Sequence, residues 1–254
     1  MGCLAMKNAI ELQEVTLRYG HVTALSGVCG VFHAGSLTAV AGPNGAGKSS
    51  LLKLIAGTVK PASGRVVLSD EVRGSVAYLP QAADLAHDFP FSVEQAVGSG
   101  LWKRLGEKAE IGKAEKEKIR AALSEVGMEG FEKRQIAALS GGQFQRMLFA
   151  RLIVQDAALI LLDEPFAAID AETTENLIRI LLKWHGEGRT IVCVLHDLLM
   201  IRKYFPDSFV LSGKCLGHGH THKLLERNLF SFDLDMAELC PGTDCKEHCH
   251  HDHV

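Results

Sequence analysis

Gly42-Pro43-Asn44-Gly45-Ala46-Gly47-Lys48-Ser49-Ser50 stands between a compact apolar run at residues 36–41 and SSLLKLIAG, whose apolar spacing is helical and which ends at Gly57. A strand that enters a glycine-rich turn and leaves it as a helix fits G-x-x-x-x-G-K-[ST] in the setting that the motif requires. Glycines let successive backbone N–H groups curl around a polyphosphate, and the start of the following helix adds a favourable dipole. Lys48 supplies a compact positive charge for the β- and γ-phosphates, and the Ser49 hydroxyl suits Mg2+. By itself the loop indicates a nucleoside triphosphate and no particular reaction.

On either side of the loop the pattern is that of an α/β chain. Apolar and polar residues alternate over 10–19, as in a half-buried strand, and a turn at Gly20-His21 leads to a second strand that reaches Val31-Phe32. Strand-like stretches recur at 65–69 and 75–79. A stretch of alternating charge at 103–120 reads as the solvated face of helix. Residues 159–162 and 191–195 are continuous apolar runs, the mark of parallel strands covered on both faces, and Val210-Leu211 is expected to be a last short strand. Strands separated by helices predict a mostly parallel sheet. The run Leu159-Ile160-Leu161-Leu162 delivers Asp163 and Glu164 to the C-terminal sheet edge, where ligands of open α/β sheets sit. There Asp163 suits a Mg2+ shell, and Glu164 can accept a proton from an attacking water.

Composition narrows the partners. The chain has 254 residues, of which 47% are hydrophobic and 22% charged, enough for an ample core. With 27 basic against 30 acidic residues, no electrostatic footprint for nucleic acid is present. Its apolar runs are strand-sized, well short of the roughly 20 residues that span a bilayer. Residues 1–8 show no secretory signal, and Met6 stands where the myristoylation motif begun by Gly2 needs Ser or Thr. The seven cysteines are therefore expected to be reduced thiols.

Leu139-Ser140-Gly141-Gly142-Gln143, just before a helical run at 144–155, can form a second anion-binding helix start. With this LSGGQ the chain resembles the nucleotide-binding subunits of ABC transporters over about residues 8–215. The resemblance implies a P-loop NTPase core with a mostly parallel sheet, an antiparallel β subdomain, and a helical signature subdomain at 82–156. It also implies a head-to-tail homodimer in which Ser140, Gly141, Gly142 and Gln143 of one copy face the γ-phosphate of ATP held by the other copy's Lys48. Tyr19 matches the aromatic that stacks on adenine, and Gln81, in Tyr78-Leu79-Pro80-Gln81, matches the glutamine that senses Mg2+ and the γ-phosphate. Asp170 matches the segment that crosses the dimer interface, although Phe166-Ala167-Ala168-Ile169 lacks the commoner serine. His196, in Val194-Leu195-His196-Asp197, matches the histidine that contacts the γ-phosphate. Such a subunit is an ATP hydrolase, peripheral on the cytoplasmic face of the plasma membrane. It works with an integral membrane permease and, indirectly, with a periplasmic or extracellular solute-binding protein.

Two features bear on cargo. Asp88-Phe89-Pro90-Phe91-Ser92-Val93 is similar to ATPases of zinc and manganese importers and, less closely, of iron-chelate importers. Residues 216–254 read as an appended tail rich in histidine and cysteine. His218, His220 and His222 form one group, and Cys240, Cys245, His248, Cys249, His250, His251 and His253 another. Thiolate with imidazole suits Zn2+ rather than Mg2+. The expectation is an ATP-driven importer of zinc, with manganese second. An iron-chelate importer, an exporter or a soluble ABC ATPase stands as the alternative.

Overall fold

The computed structural model describes residues 7–81, 90–106, 111–167 and 169–231. The chain forms two compact units, one made of Met1–Asp70 with Val192–Val254 and the other of Glu71–Ile191.

The first unit opens with an antiparallel sheet. Strand β1 (Asn8–Tyr19) lies between β2 (Val22–His33) and β4 (Ser63–Leu68). Its alternation buries Ile10 and Leu12, slips, and then buries Val15 and Leu17. The slip is a β-bulge: the register shifts between Leu12 and Val15, and Glu14 takes φ 48°. Opposite it, a Cβ on Gly64 would lie 2.3 Å from the Glu14 carbonyl oxygen, so β4 carries its glycine where the bulge presses closest. Strand β3 (Leu37–Ala41), buried throughout, pairs in parallel with β8 (Asp207–Ser212) and lies next to the end of β7 (Thr190–Val194). Helix α1 (Lys48–Ile55) follows the glycine loop and buries Leu51, Leu52, Leu54 and Ile55.

One expectation fails here. Val210-Leu211 is not the last strand, and the fold does not stop at residue 215. Strand β9 (Lys214–His220) turns back on β8 in antiparallel register, and α8 (Thr221–Glu226) closes the unit. Gly213, at φ 66°, makes that reversal, and the Ser208 and Thr221 hydroxyls, 2.8 Å apart, hold β8 to the start of α8. The sequence did not announce β9 because a strand written KCLGHGH has no apolar alternation. Between β7 and β8 lies α7 (Leu198–Tyr204).

The second unit contains β5 (Val76–Leu79), parallel to β6 (Leu159–Asp163), with the start of β7 beside β6. Its helices are α2 (Val93–Gly98), α3 (Trp102–Leu105), α4 (Lys113–Glu125), α5 (Gly141–Gln155) and α6 (Ala171–Gly186). The first four fall inside the helical region expected at 82–156. The charged stretch is broken rather than continuous: α3 ends at Gly106, whose φ of 88° no helix accommodates, and α4 starts at Lys113. Apolar stripes of α5 and α6 meet in a stack of Phe149 on Trp184, with ring centroids 6.0 Å apart. Each such fully buried side chain contributes about 1.5–3 kcal/mol to folding.

The bulge yields a test. At Gly64, φ 75° and the nearby backbone oxygens of Gln13 and Glu14 both oppose a side chain. Gly64→Ala is expected to lose about 2 kcal/mol or more of unfolding free energy in urea titration. Gly57→Ala, where nothing lies within 4 Å, is expected to lose less.

Candidate functional site

In the first unit the loop at 42–49 is shaped by what its glycines lack. A Cβ on Gly42 would sit 2.0 Å from the Leu211 carbonyl oxygen, and one on Gly47 would sit 2.6 Å from that of Ala24. The loop therefore passes against both β8 and β2 with bare backbone. Gly213 N donates to Ala46 O, and Ser26 N donates to Gly213 O, which ties loop, β8–β9 turn and β2 together. Lys48 is 6% exposed, and its Nζ donates to Gly42 O and Pro43 O, each at 2.9 Å. A buried ammonium is thus held inside the turn by two carbonyls. Gly47 caps α1 with no side-chain bond, and the first turn of α1 has no acid. By contrast α5, α6 and α7 are each capped by a side chain. A helix start without a side-chain cap, behind a buried lysine and beside the half-buried hydroxyls of Ser49 and Ser50, fits a polyphosphate with its Mg2+. Asn44 and Gly45 form the exposed tip of the loop.

Two other residues expected at the site belong to this unit. Tyr19 ends β1 with 46% of its surface exposed, which leaves a ring face for stacking. His196 follows the buried end of β7, and the next residue, Asp197, caps α7 by accepting from Leu199 N and Met200 N. Sequence reading passed over Asp197; its signal is an acid directly before a helical run.

In the second unit the β5–β6 ladder pairs Leu79 with Leu162, and the same offset of 83 residues carries on to Gln81 and Glu164. The Gln81 amide Nε2 donates to Glu164 Oε2 at 2.7 Å. Asp163, 2% exposed, closes β6. Glu164 takes φ 50°, a conformation that disfavours a non-glycine residue by roughly 1–2 kcal/mol. A charge-assisted hydrogen bond, at about 1.5–3 kcal/mol, is of the same order.

The signature residues form a closed cap. Ser140 Oγ accepts from Gln143 N at 3.3 Å, and Gln143 Oε1 accepts from Ser140 N at 3.1 Å. The helix start that the sequence suggested as an anion site is therefore already fastened by its own side chains. The Ser140 hydroxyl, accepting one bond, still has its proton to donate. Gly141 has open space around its Cβ position, and a Cβ on Gly142 would lie 3.6 Å from Asp170 Oδ2. Asp170 itself caps α6, accepting from Thr173 N and Thr173 Oγ1, each at 2.8 Å. Those two donors, the backbone N–H first, hold its carboxyl below the ordinary aspartate range.

Among the described residues the first histidine group is not gathered into a metal site. His220 Nδ1 pairs with Asp207 Oδ1 at 3.0 Å, His222 stacks on His220, and His218 stacks on Phe209 with centroids 5.8 Å apart. Among the described residues no three His, Cys, Asp or Glu side chains are placed to hold an ion. Strand geometry explains this: His218 and His220 are part of β9, each engaged with a different partner. The second group, Cys240 to His253, lies outside the described residues, as do Asp88 and Phe89.

Comparison with known proteins adds family context. The family model described as "ABC transporter" matches residues 25–167. The manganese transport system ATP-binding protein MntB of Listeria monocytogenes is 39% identical over 227 residues, covering 88% of this chain and 95% of that protein. The zinc transport system ATP-binding protein TroB of Treponema pallidum is 40% identical over 215 residues, covering 83% of this chain and 81% of that protein. Among solved structures, a metal-chelate type ABC transporter in an inward-facing conformation superposes with a TM-score of 0.78. It is 26% identical, and the match covers 89% of each chain.

The Asp170 cap can be checked by titration. A depressed carboxyl stabilises the fold above its unfolded pKa, and that stabilisation is lost as pH falls through the folded value. Carboxyl NMR is expected to place Asp170 below an unperturbed aspartate, and Thr173→Val is expected to move it back up.

Proposed function

We propose that this chain, which belongs to the ABC transporter family, is the ATP-hydrolysing subunit of an importer for a divalent transition metal. The observation that carries the nucleotide part of this reading is the loop at 42–49, with buried Lys48 held by Gly42 O and Pro43 O at the start of a helix that no side chain caps. Gly42, Pro43, Asn44, Gly45, Ala46 and Gly47 wrap the phosphates of ATP, Lys48 neutralises them, and Ser49, Gln81 and Asp163 hold Mg2+, with Ser50 beside them. Mg2+ supplies charge neutralisation on the transferred phosphoryl group. Tyr19 takes the adenine, Glu164 accepts the proton of the attacking water, and His196 contacts the γ-phosphate. Two copies pair head to tail, so that each copy's Ser140, Gly141, Gly142 and Gln143 complete the other's site, with Asp170 at the interface. Among the described residues no helix is long and apolar enough to cross a membrane. In this reading the pore belongs to a separate permease. The protein works on the cytoplasmic face of that permease, and a solute-binding protein delivers the cargo from outside.

For cargo, the named activities of the relatives, manganese and zinc transport, support a transition metal. Zinc is the first candidate, because the thiolates and imidazoles near the C-terminus suit it, and manganese is the second. A metal chelate is the remaining reading, favoured by the likeness to the metal-chelate type transporter.

ATP hydrolysis by the subunit assembled with its permease tests this directly. Stimulation by zinc-loaded binding protein and not by the manganese-loaded form establishes zinc, and the reverse establishes manganese. Stimulation by neither, with a response to a metal chelate, moves the cargo to the third reading. Glu164→Gln is expected to bind ATP, accumulate as an ATP-bound dimer and turn over at least about a hundredfold more slowly. Near-normal turnover in that variant removes Glu164 from its role.

A further inference from the structure

Glu164 stands in a backbone conformation that a non-glycine residue does not adopt by itself. It takes φ 50°, and Ala167 N donates to its carbonyl at 3.2 Å, which closes a turn over Glu164-Pro165-Phe166-Ala167. Proline suits the second place of such a turn, because its fixed φ is already the one required there. A left-handed residue outside glycine persists only where its surroundings over-determine it. On one side β6 does so, buried along its length to Asp163. On the other side a single backbone hydrogen bond closes the turn, and Phe166 supplies its link to the core. The Phe166 ring lies 6.4 Å from that of Phe149 at a tilt of 32°, and Phe149, fully buried on α5, stacks on Trp184 of α6. Tilted rings at this separation attract each other beyond simple burial. Phe166 also opens the segment that lacks the family's commoner serine, a departure that the nucleotide chemistry leaves without a role.

We propose that Phe166 is a positioning residue for Glu164. Seated on Phe149, its ring anchors the turn that keeps the Glu164 backbone left-handed, and so aims the carboxylate that receives the proton of water. This rests on the reading of Glu164 as the general base. Phe166 has no group that binds Mg2+ or exchanges a proton, so its influence on hydrolysis passes through the shape of the turn. Two readings of that influence make opposite demands on a mutant cycle. A residue that acts through Glu164 loses its effect once Glu164 is replaced, whereas a residue that only stabilises the unit keeps it.

The experiment uses the full-length protein and MgATP, with steady-state and single-turnover hydrolysis of Phe166→Ala, Phe166→Leu, Phe166→Tyr, Glu164→Gln and the double variant Phe166→Ala/Glu164→Gln. Leu123→Ala is the control for stability alone, since Leu123 is fully buried on α4 and belongs to neither the turn nor the ring stack. Phe166→Ala is expected to lower kcat by roughly 10- to 100-fold and to leave KM for ATP within about threefold, the pattern of a misplaced reacting group. Phe166→Tyr keeps the ring and is expected to restore kcat to within about threefold of the parent, with Phe166→Leu between the two. Leu123→Ala is expected to lower the Tm in circular dichroism at least as far as Phe166→Ala does, with kcat kept within about threefold. In the Glu164→Gln background, Phe166→Ala is expected to change the single-turnover rate by less than about threefold. Should Phe166→Ala fail to fold, Phe166→Leu carries the same comparisons. Unchanged kcat in the folded variant, an equal loss in Leu123→Ala, or the same fold-loss repeated in the Glu164→Gln background overturns the proposal. Near-normal turnover of Glu164→Gln alone is a separate result, and it removes the base on which the proposal stands.

Discussion

The backbone at Gly42 and Gly47 runs so close to Leu211 and Ala24 that no side chain can stand at either position. Much of the first unit follows from that approach. Because the loop lies against β8 and β2, the turn at Gly213 can donate to Ala46 and accept from Ser26, and one residue joins three elements. The same closeness turns the carbonyls of Gly42 and Pro43 toward the Lys48 ammonium, which satisfies a charge that burial would otherwise penalise heavily. A glycine loop is usually described by its flexibility; here it is described better by its tightness.

The second unit achieves precision by another route. Strand β6 is apolar and buried along its whole length until Asp163, so the acid pair appears at the point where the core ends. Capping side chains then fix the segments around it: Ser140 and Gln143 close the start of α5, and Asp170 with Thr173 closes that of α6. In each case a polar side chain satisfies backbone N–H groups that have no partner within the helix. Residues proposed for the nucleotide site are also the residues that begin these helices. Structure and chemistry therefore place overlapping demands on Ser140 and Asp170.

Much of this was legible along the chain. Apolar runs at 159–162 and 191–195 announced buried strands, the loop motif announced its strand and helix, and LSGGQ was found at the head of α5 as its spacing required. Less visible was β9, because glycine and histidine carry no strand signal and only pairing with β8 makes KCLGHGH extended. The contacts of the histidine group at 218–222 were hidden for the same reason. Close spacing in sequence looked like a ligand set, yet the strand commits His218 to Phe209 and His220 to Asp207. The bulge at Glu14 was equally hidden, since an alternation that slips by one residue still looks like alternation.

Local chemistry is what the sequence by itself determined: where a phosphate loop can turn, which acids end an apolar strand, and which serine opens a helix. Those outcomes depend on backbone freedom and on hydrogen bonds between residues a few positions apart, and residue type is enough to decide them. Register, close approach and partner choice were decided only by the tertiary structure. Gln81 meets Glu164 because two parallel strands share an offset, and Gly42 must be glycine because β8 happens to run past it. Both facts join residues more than eighty positions apart, and only the packing of buried strands and loops brings such residues together.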